Sequence, residues 1–384
     1  MATLAVRCGT LVLPTETLHH VTLLAQDGAV SQIAEAVDIP SGAVVIDASE
    51  RTIVPGFVDI HVHGAMNYDT MDATPQALDV MSNFFAAHGV TSFVPTTMTA
   101  ARAEIDAALD NIKAAMARGT PGAQILGAHI EGPYLNVKQC GAQLPDLIRP
   151  AQRDEYCRWF DSGIARLITI APEIAANAGL IDDALQANIA IAIGHSDADY
   201  ATAQRCFARG VTQATHTFNG MRGLHHREPG TAGAVLANDD VVAQLIADNV
   251  HVHPAVMNII YRCKTPARLA LITDAMEAVG LGDGTYRLGP QHITVRDGQA
   301  RTASGSLAGS TLTLDMALRN IMAATRCSLN DAVMMCSLTP ATSIKLGKRK
   351  GNLAPGYDAD IAILDDHLMV QTTIVGGRVV YGRA

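Results

Sequence analysis

Along the chain, short apolar runs alternate with stretches of helical period. The runs Phe57–His63, Thr91–Thr96, Ile125–Glu131, Leu167–Glu173, Ile189–His195, Thr212–His216, Val242–Asp248 and Leu269–Asp274 read as strands, most ending in a polar or ionisable residue. Helix signals lie between them. Ile105, Leu109, Ile112 and Met116 recur at helical spacing and form one apolar stripe. Thr74-Pro75 supplies an N-cap followed by a first-turn proline. At His88-Gly89-Val90 and Arg209-Gly210-Val211 a glycine stop passes straight into a strand. Eight strands alternating with helices predict an α/β fold, a parallel (β/α)8 TIM-like barrel. Such barrels carry their chemistry at the C-terminal strand ends.

The two chain ends read differently. Val21–Ala25 and Val30–Ile33 flank Asp27-Gly28, a hairpin turn signal. Ile361–Leu364, Thr372–Val375 and Arg378–Tyr381 read as strands, with Gly376-Gly377 as the tight turn. The expectation is that residues 1–54 and 350–384 pair into one small β domain beside a barrel spanning 55–349.

Composition narrows the function classes. With 384 residues, 48% hydrophobic and 17% charged, the chain can bury a large core, and disordered, collagen-like and disulfide-scaffold classes are excluded. A formal charge of −9 makes it a poor non-specific nucleic-acid binder. A local Arg/His cluster can still serve a small anionic substrate. Seven scattered cysteines without a CxxC pair fit free thiols in a reducing cytoplasm. The first residues lack a basic region followed by an apolar one, and no uncharged apolar run approaches ~18 residues, so neither a signal peptide nor a membrane span is expected.

Candidate chemistry gathers at the strand ends. His61 and His63 are two apart in an extended segment, so both imidazoles face the same way and can meet one metal ion. Glu131, His195 and His216 end the third, fifth and sixth strands. His and carboxylate without thiolate suits Zn²⁺, and also Fe²⁺, Mn²⁺ or Co²⁺. Asp274 ends the eighth strand, where an acid beside a metal site can take a proton from water and return it to a leaving group. The same residue type also caps helices. His225-His226-Arg227 suits a phosphate or carboxylate group, or is a solvated polar loop. His251 and His253 follow the seventh strand and read as substrate contacts rather than ligands. The loop Ser306-Leu307-Ala308-Gly309-Ser310 offers backbone N–H groups to a polar ligand.

Taken together, these residues resemble the amidohydrolase superfamily, and within it the N-acetylglucosamine-6-phosphate deacetylases. The motifs are Pro55-Gly56-Phe57-Val58-Asp59-Ile60-His61-Val62-His63-Gly64, His129-Ile130-Glu131-Gly132-Pro133-Tyr134, Gly194-His195-Ser196, Thr215-His216, Asn219-Gly220-Met221, His226-Arg227-Glu228-Pro229-Gly230, Ile272-Thr273-Asp274-Ala275 and Leu353–Asp360. The resemblance implies a barrel with a small β-sandwich from both chain ends, and deacetylation of an amino-sugar 6-phosphate. It implies Glu131, His195 and His216 as metal ligands, with His61 and His63 building a second site that Glu131 bridges, so one or two divalent ions per chain. It implies Asp274 as catalytic acid and base. Ala142, Gln143, Asn219, Gly220, His226, Arg227, His251 and Leu307–Gly309 then match substrate-binding positions. Arg227 would reach the substrate of a neighbouring subunit, which implies a homodimer. Gln143 stands where some relatives carry His. The galactosamine epimer is the nearest alternative substrate; a cyclic-amide hydrolase is disfavoured because the fourth strand ends without a lysine.

Overall fold

The computed structural model describes residues 3–382. Eight parallel strands form the barrel wall in sequence order: Phe57–Val62, Val90–Thr97, Ala128–Glu131, Ala165–Ile170, Ala190–Ile193, Gln213–Ala214, Val242–Ile246 and Leu269–Ile272. A parallel bridge between Val62 and Ala275 joins the last strand to the first. There the Asp274 amide donates to the His61 carbonyl at 2.9 Å. Helices at 75–86, 102–118, 153–161, 178–186, 200–208, 230–236, 254–264 and 314–325 follow the eight strands in turn.

The local chemistry explains these elements. Thr74 accepts from the Ala77 amide and Pro75 occupies the first turn, so the first helix starts where the sequence signals it. Ile105, Leu109 and Ile112 are buried along the second helix. The barrel core is continuous from Phe57 and Phe93 through Ile130, Ile168 and Ile193 to Leu271, with Trp159 packed outside the wall. Six strands stop short of the residue that ends them in the sequence reading: the first at Val62, the fifth at Ile193, the seventh at Ile246 and the eighth at Ile272, with the fourth and sixth as well. The fourth ends at Ile170, ahead of Pro172, and the sixth spans only Gln213–Ala214. Glu173 and His216 therefore project from loops rather than strand ends.

The chain ends meet in a seven-stranded sheet. Its order runs Arg378–Gly382, Val370–Val375, Ile361–Leu364, Val44–Pro55, Thr3–Val12, Thr17–Gln26, Ala29–Ala34. It has its own core, including Val6, Leu11, Leu23, Ile53, Ile361 and Ile374. Gly284–Leu288, Gln291–Arg296 and Gln299–Thr302 form an antiparallel three-stranded sheet after the eighth barrel strand. Leu288, Ile293, Val295 and Ala300 pack it onto Met98 and Met276 at the barrel mouth.

Candidate metal centre and active site

The fold brings six ionisable side chains together at the C-terminal end of the barrel. His195, His216 and Asp274 sit just past their strands with φ of 45°, 28° and 50°. This left-handed conformation is uncommon for any side chain but His and Asp tolerate it better than most. Strain of this kind, roughly 1–3 kcal/mol per residue, persists where the surrounding structure enforces it and clusters at working sites. It turns each side chain off the barrel wall toward the axis.

Two groups of ligand atoms result: His61, His63 and Asp274, and Glu131, His195 and His216. In the first, Asp274 Oδ1 lies 3.4 Å from His61 Nε2 and 3.3 Å from His63 Nε2. In the second, Glu131 Oε1 lies 3.2 Å from the Nε2 atoms of both His195 and His216. The other carboxylate oxygen, Glu131 Oε2, lies 3.2 Å from His63 Nε2. Glu131 thus stands between the groups, with Oε2 on His63 and Oε1 nearest His195 and His216 and 3.6 Å from His61 Nε2.

The donor chemistry fits a divalent cation. The Nδ1 atoms of His63, His195 and His216 contact the carbonyls of Thr96 (3.2 Å), Gln139 (2.8 Å) and Asn219 (3.0 Å). A carbonyl only accepts, so each Nδ1 carries a hydrogen and Nε2 is the nitrogen turned to the centre. The Nε2 atoms of His195 and His216 are 3.1 Å apart, and those of His61 and His63 are 3.2 Å apart. Imidazole nitrogens gathered that closely among carboxylate oxygens form a donor set that a divalent ion would bind. Backbone carbonyls behind metal-ligating imidazoles are the usual orienting partners.

Beneath the centre the polar groups are structural. Burial pushes the His129 imidazole well below its usual pKa, helped by the adjacent His61. It lies edge-on to the His61 ring and contacts Thr169 Oγ1 at 2.7 Å, so it packs rather than ligates. Burial raises the Asp59 carboxyl to about 6, against hydrogen bonds from Thr273 and His61. Asp59 accepts from Thr273 Oγ1 at 2.5 Å and from the His61 amide at 3.2 Å, tying the last barrel strand to the first.

Above the centre lies a cavity of about 300 Å³. Of the residues expected to meet substrate, Ala142, Gln143, Asn219, Gly220, His251, Leu307 and Gly309 line it. Ala308 is buried behind that wall. His226 and Arg227 do not line the cavity; both are exposed in the 222–229 loop, with Arg227 Nη1 2.7 Å from His226 Nε2. His253 points elsewhere, accepting from the Ala255 amide at the start of a helix. Met98 and Leu288 also line the cavity and carried no sequence signal. The Asn219 side-chain nitrogen is buried without a protein acceptor. An orphaned donor in a cavity wall is what a bound acceptor would satisfy.

The sequence matches the amidohydrolase family over residues 52–380. The N-acetylglucosamine-6-phosphate deacetylase of Vibrio furnissii is 39% identical, over 94% of this chain and 90% of that protein. The N-acetylgalactosamine-6-phosphate deacetylase of Escherichia coli O157:H7 is 38% identical, over 95% of this chain and 99% of that protein. Among solved structures, an Asp-to-Ala mutant of the Mycobacterium smegmatis N-acetyl-D-glucosamine-6-phosphate deacetylase, in complex with N-acetyl-D-glucosamine-6-phosphate, superimposes with a TM-score of 0.92. It is 33% identical, covering 99% of this chain and 100% of that one. Motifs, barrel and relatives agree, and the chain belongs to the amidohydrolase family.

Proposed function

We propose that this protein hydrolyses the acetamide of N-acetylglucosamine 6-phosphate, giving acetate and glucosamine 6-phosphate. The observation that carries the reading is the convergence of the two ligand groups, joined through Glu131, below a cavity with an orphaned Asn219 donor. The names of the relatives supply the substrate.

Glu131, His195 and His216 would hold one divalent ion, and His61, His63 and Asp274 a second. We take zinc as the metal, since imidazole and carboxylate donors without thiolate suit it. A divalent ion in such a site lowers the pKa of water and polarises a carbonyl. The protein's own groups do the rest. Asp274 takes a proton from the attacking water on its carboxylate and delivers it to the departing amine nitrogen. Without that proton the amine is a poor leaving group. His251 donates to the developing negative charge on the acetamide oxygen. Asn219 Nδ2 and the Gly220 and Leu307–Gly309 backbone orient the sugar, while Met98 and Leu288 close an apolar wall.

The phosphate needs a cation that the chain does not bring to its own cavity. Among the described residues, no Lys or Arg lines it. The exposed His226–Arg227 pair is suited to phosphate. We therefore assign the working form as a homodimer in which Arg227 of one protomer serves the site of the other. The seven cysteines are all free, in keeping with a cytoplasmic setting. No helix among the described residues is long and apolar enough to cross a membrane. The division into a terminal β domain (1–54 with 350–384) and a barrel (55–349) belongs to the same reading.

The test is steady-state deacetylation of N-acetylglucosamine 6-phosphate and its galactosamine epimer, side by side in defined metal. Preference for the first supports the reading. Preference for the second, the sugar in the name of the Escherichia coli relative, keeps the centre and changes the sugar. Turnover of neither would overturn the substrate assignment.

A further inference from the structure

The loop after the third barrel strand holds both halves of the centre. Its Gln139 carbonyl fixes His195 at Nδ1, 2.8 Å away. Four residues on, Gln143 is almost fully buried and both ends of its amide are engaged. Its Oε1 accepts from the Thr99 amide at 2.8 Å, and its Nε2 donates to Glu131 Oε2 at 3.0 Å. The first bond sets which end of the amide faces Glu131: an N–H, not an oxygen. The second acts on one oxygen only, the one that faces His63. Glu131 Oε1, which faces His195 and His216, takes no bond from Gln143.

Gln143 is in turn braced from outside. Its backbone N–H donates to the Cys140 carbonyl at 2.8 Å, closing a tight turn. The neighbouring Ala142 carbonyl accepts from Gln291 of the three-stranded sheet over the mouth. The Gln143 side chain therefore has little freedom to leave Glu131 for a sugar hydroxyl.

We propose that Gln143 is a positioning residue for the metal centre: it holds Glu131 in the bridging orientation and thereby secures the ion of the His61–His63–Asp274 group. The inference rests on the two-ion reading above. A carboxylate that could rotate freely would serve both its oxygens to the His195–His216 side and leave the other group without its shared ligand. Gln143 prevents that rotation with a neutral donor, adding no charge to compete with the ions. Removing such an orienting partner typically weakens metal binding about 10- to 100-fold. Here the loss falls on one ion of the two.

The experiment is metal titration of the metal-free protein, with Gln143→Met and Gln143→Leu beside the parent. Manganese is the probe, read by bound-ion stoichiometry and by the spin-coupled EPR signal of an ion pair. Gln143→Met keeps the length and burial of the side chain; a metal-free melting temperature near that of the parent shows that it folds. The expected result is two ions and a coupled signal in the parent. In both variants one ion should remain tight, the second should weaken about 10- to 100-fold, and the coupled signal should vanish at stoichiometric metal. Two ions held equally tightly and still coupled in the variants would overturn the role of Gln143 alone. A parent that holds a single ion would overturn the two-ion reading and this inference with it. Loss of both ions together in the folded variants would also overturn it, because the effect would then not be specific to one group.

Discussion

Asp248 Oδ2 lies 2.6 Å from His251 Nδ1, and its other oxygen accepts the amides of Val250 and His251 at 2.8 Å each. Burial raises the Asp248 pKa, but the bond and charge of His251 outweigh it and the carboxyl stays below its usual range. The carboxylate is locked by its own turn, so it fixes the ring. His251 Nδ1 is occupied, and Nε2 is the nitrogen left for the cavity. Asp248→Asn keeps the shape and removes the charge. A charge-assisted hydrogen bond is worth about 1.5–3 kcal/mol, so kcat/KM should fall roughly 10- to 100-fold. Metal content should not change, since Asp248 belongs to neither ligand group. Parent-like kinetics in that variant would exclude His251 from the reaction in this orientation.

Asp274 carries two demands, as proton carrier and as a member of the His61–His63 group. Asp274→Asn should reduce turnover by at least the roughly 10²–10⁴-fold typical of general acid–base catalysis. Glu131, His195 and His216 are untouched, so at least one ion per chain should remain by elemental analysis. Near-parent activity with intact metal would sink the acid/base assignment.

The sequence showed the barrel and the ligands for the same reason. The eight wall strands are buried apolar runs, and in five of them the ionisable residue that stops the run is turned into the centre; Glu173 and Asp248, which stop two others, brace the surrounding loops instead. His61, Glu131, His195, His216 and Asp274 were legible because a polar group at the end of such a run is conspicuous. Their supports were not. Asp59 meets Thr273, 214 residues away, and no local pattern announces that pair. The Gln139 and Asn219 carbonyls behind His195 and His216 belong to backbone, which every residue has. The three-stranded sheet at the mouth is short and half exposed, so its alternation at Ile293 and Val295 is a faint signal beside the barrel strands. Met98 and Leu288 entered the cavity wall through that sheet's packing.

Lys350 joins the barrel to the terminal sheet. It is almost fully buried, with Nζ 2.6 Å from Asp360 Oδ2, 2.8 Å from Asp358 Oδ2 and 2.7 Å from Gln124 Oε1. Lys350→Met fills the space but leaves Asp360 buried without its cation. Breaking a buried pair this way costs about 3–5 kcal/mol. Urea unfolding followed by Trp159 fluorescence should show that loss. A change under ~1 kcal/mol would mean that water reaches the pair.

Asp315 gives a pH-dependent version of the same measurement. Burial pushes its carboxyl up, but hydrogen bonding and charge from His88, with Arg319 beside it, bring it down from 3.8 to about 2. A folded pKa below the unfolded one stabilises the fold above the unfolded value, and the gain is lost as pH falls through the folded value. The window is therefore between about pH 4 and pH 2, and the shift corresponds to about 2 kcal/mol at neutral pH. Asp315→Asn should be destabilised by that amount at pH 7, and the gap to the parent should narrow on acidification to pH 3. A gap independent of pH would assign the loss to packing.

The cavity without a Lys or Arg makes the homodimer testable by mixing. Arg227→Ala retains Asp274 but, on the proposed arrangement, offers no cation to its partner's substrate. Asp274→Asn offers that cation but cannot move the proton. Each variant alone should turn over poorly, the first through a raised KM for the phosphorylated sugar and the second through kcat. After subunit exchange, half of the dimers are mixed, and each mixed dimer has one site with both groups. About a quarter of parent activity should then return, because a two-fold interface exchanges the same patch in both directions. The recovered sites should show the parent KM, which dilution of one variant by the other would not produce. If Arg227 served its own chain's cavity instead, each mixed dimer would hold one site lacking Arg227 and one lacking Asp274. Activity would then stay at the average of the two variants at every mixing ratio.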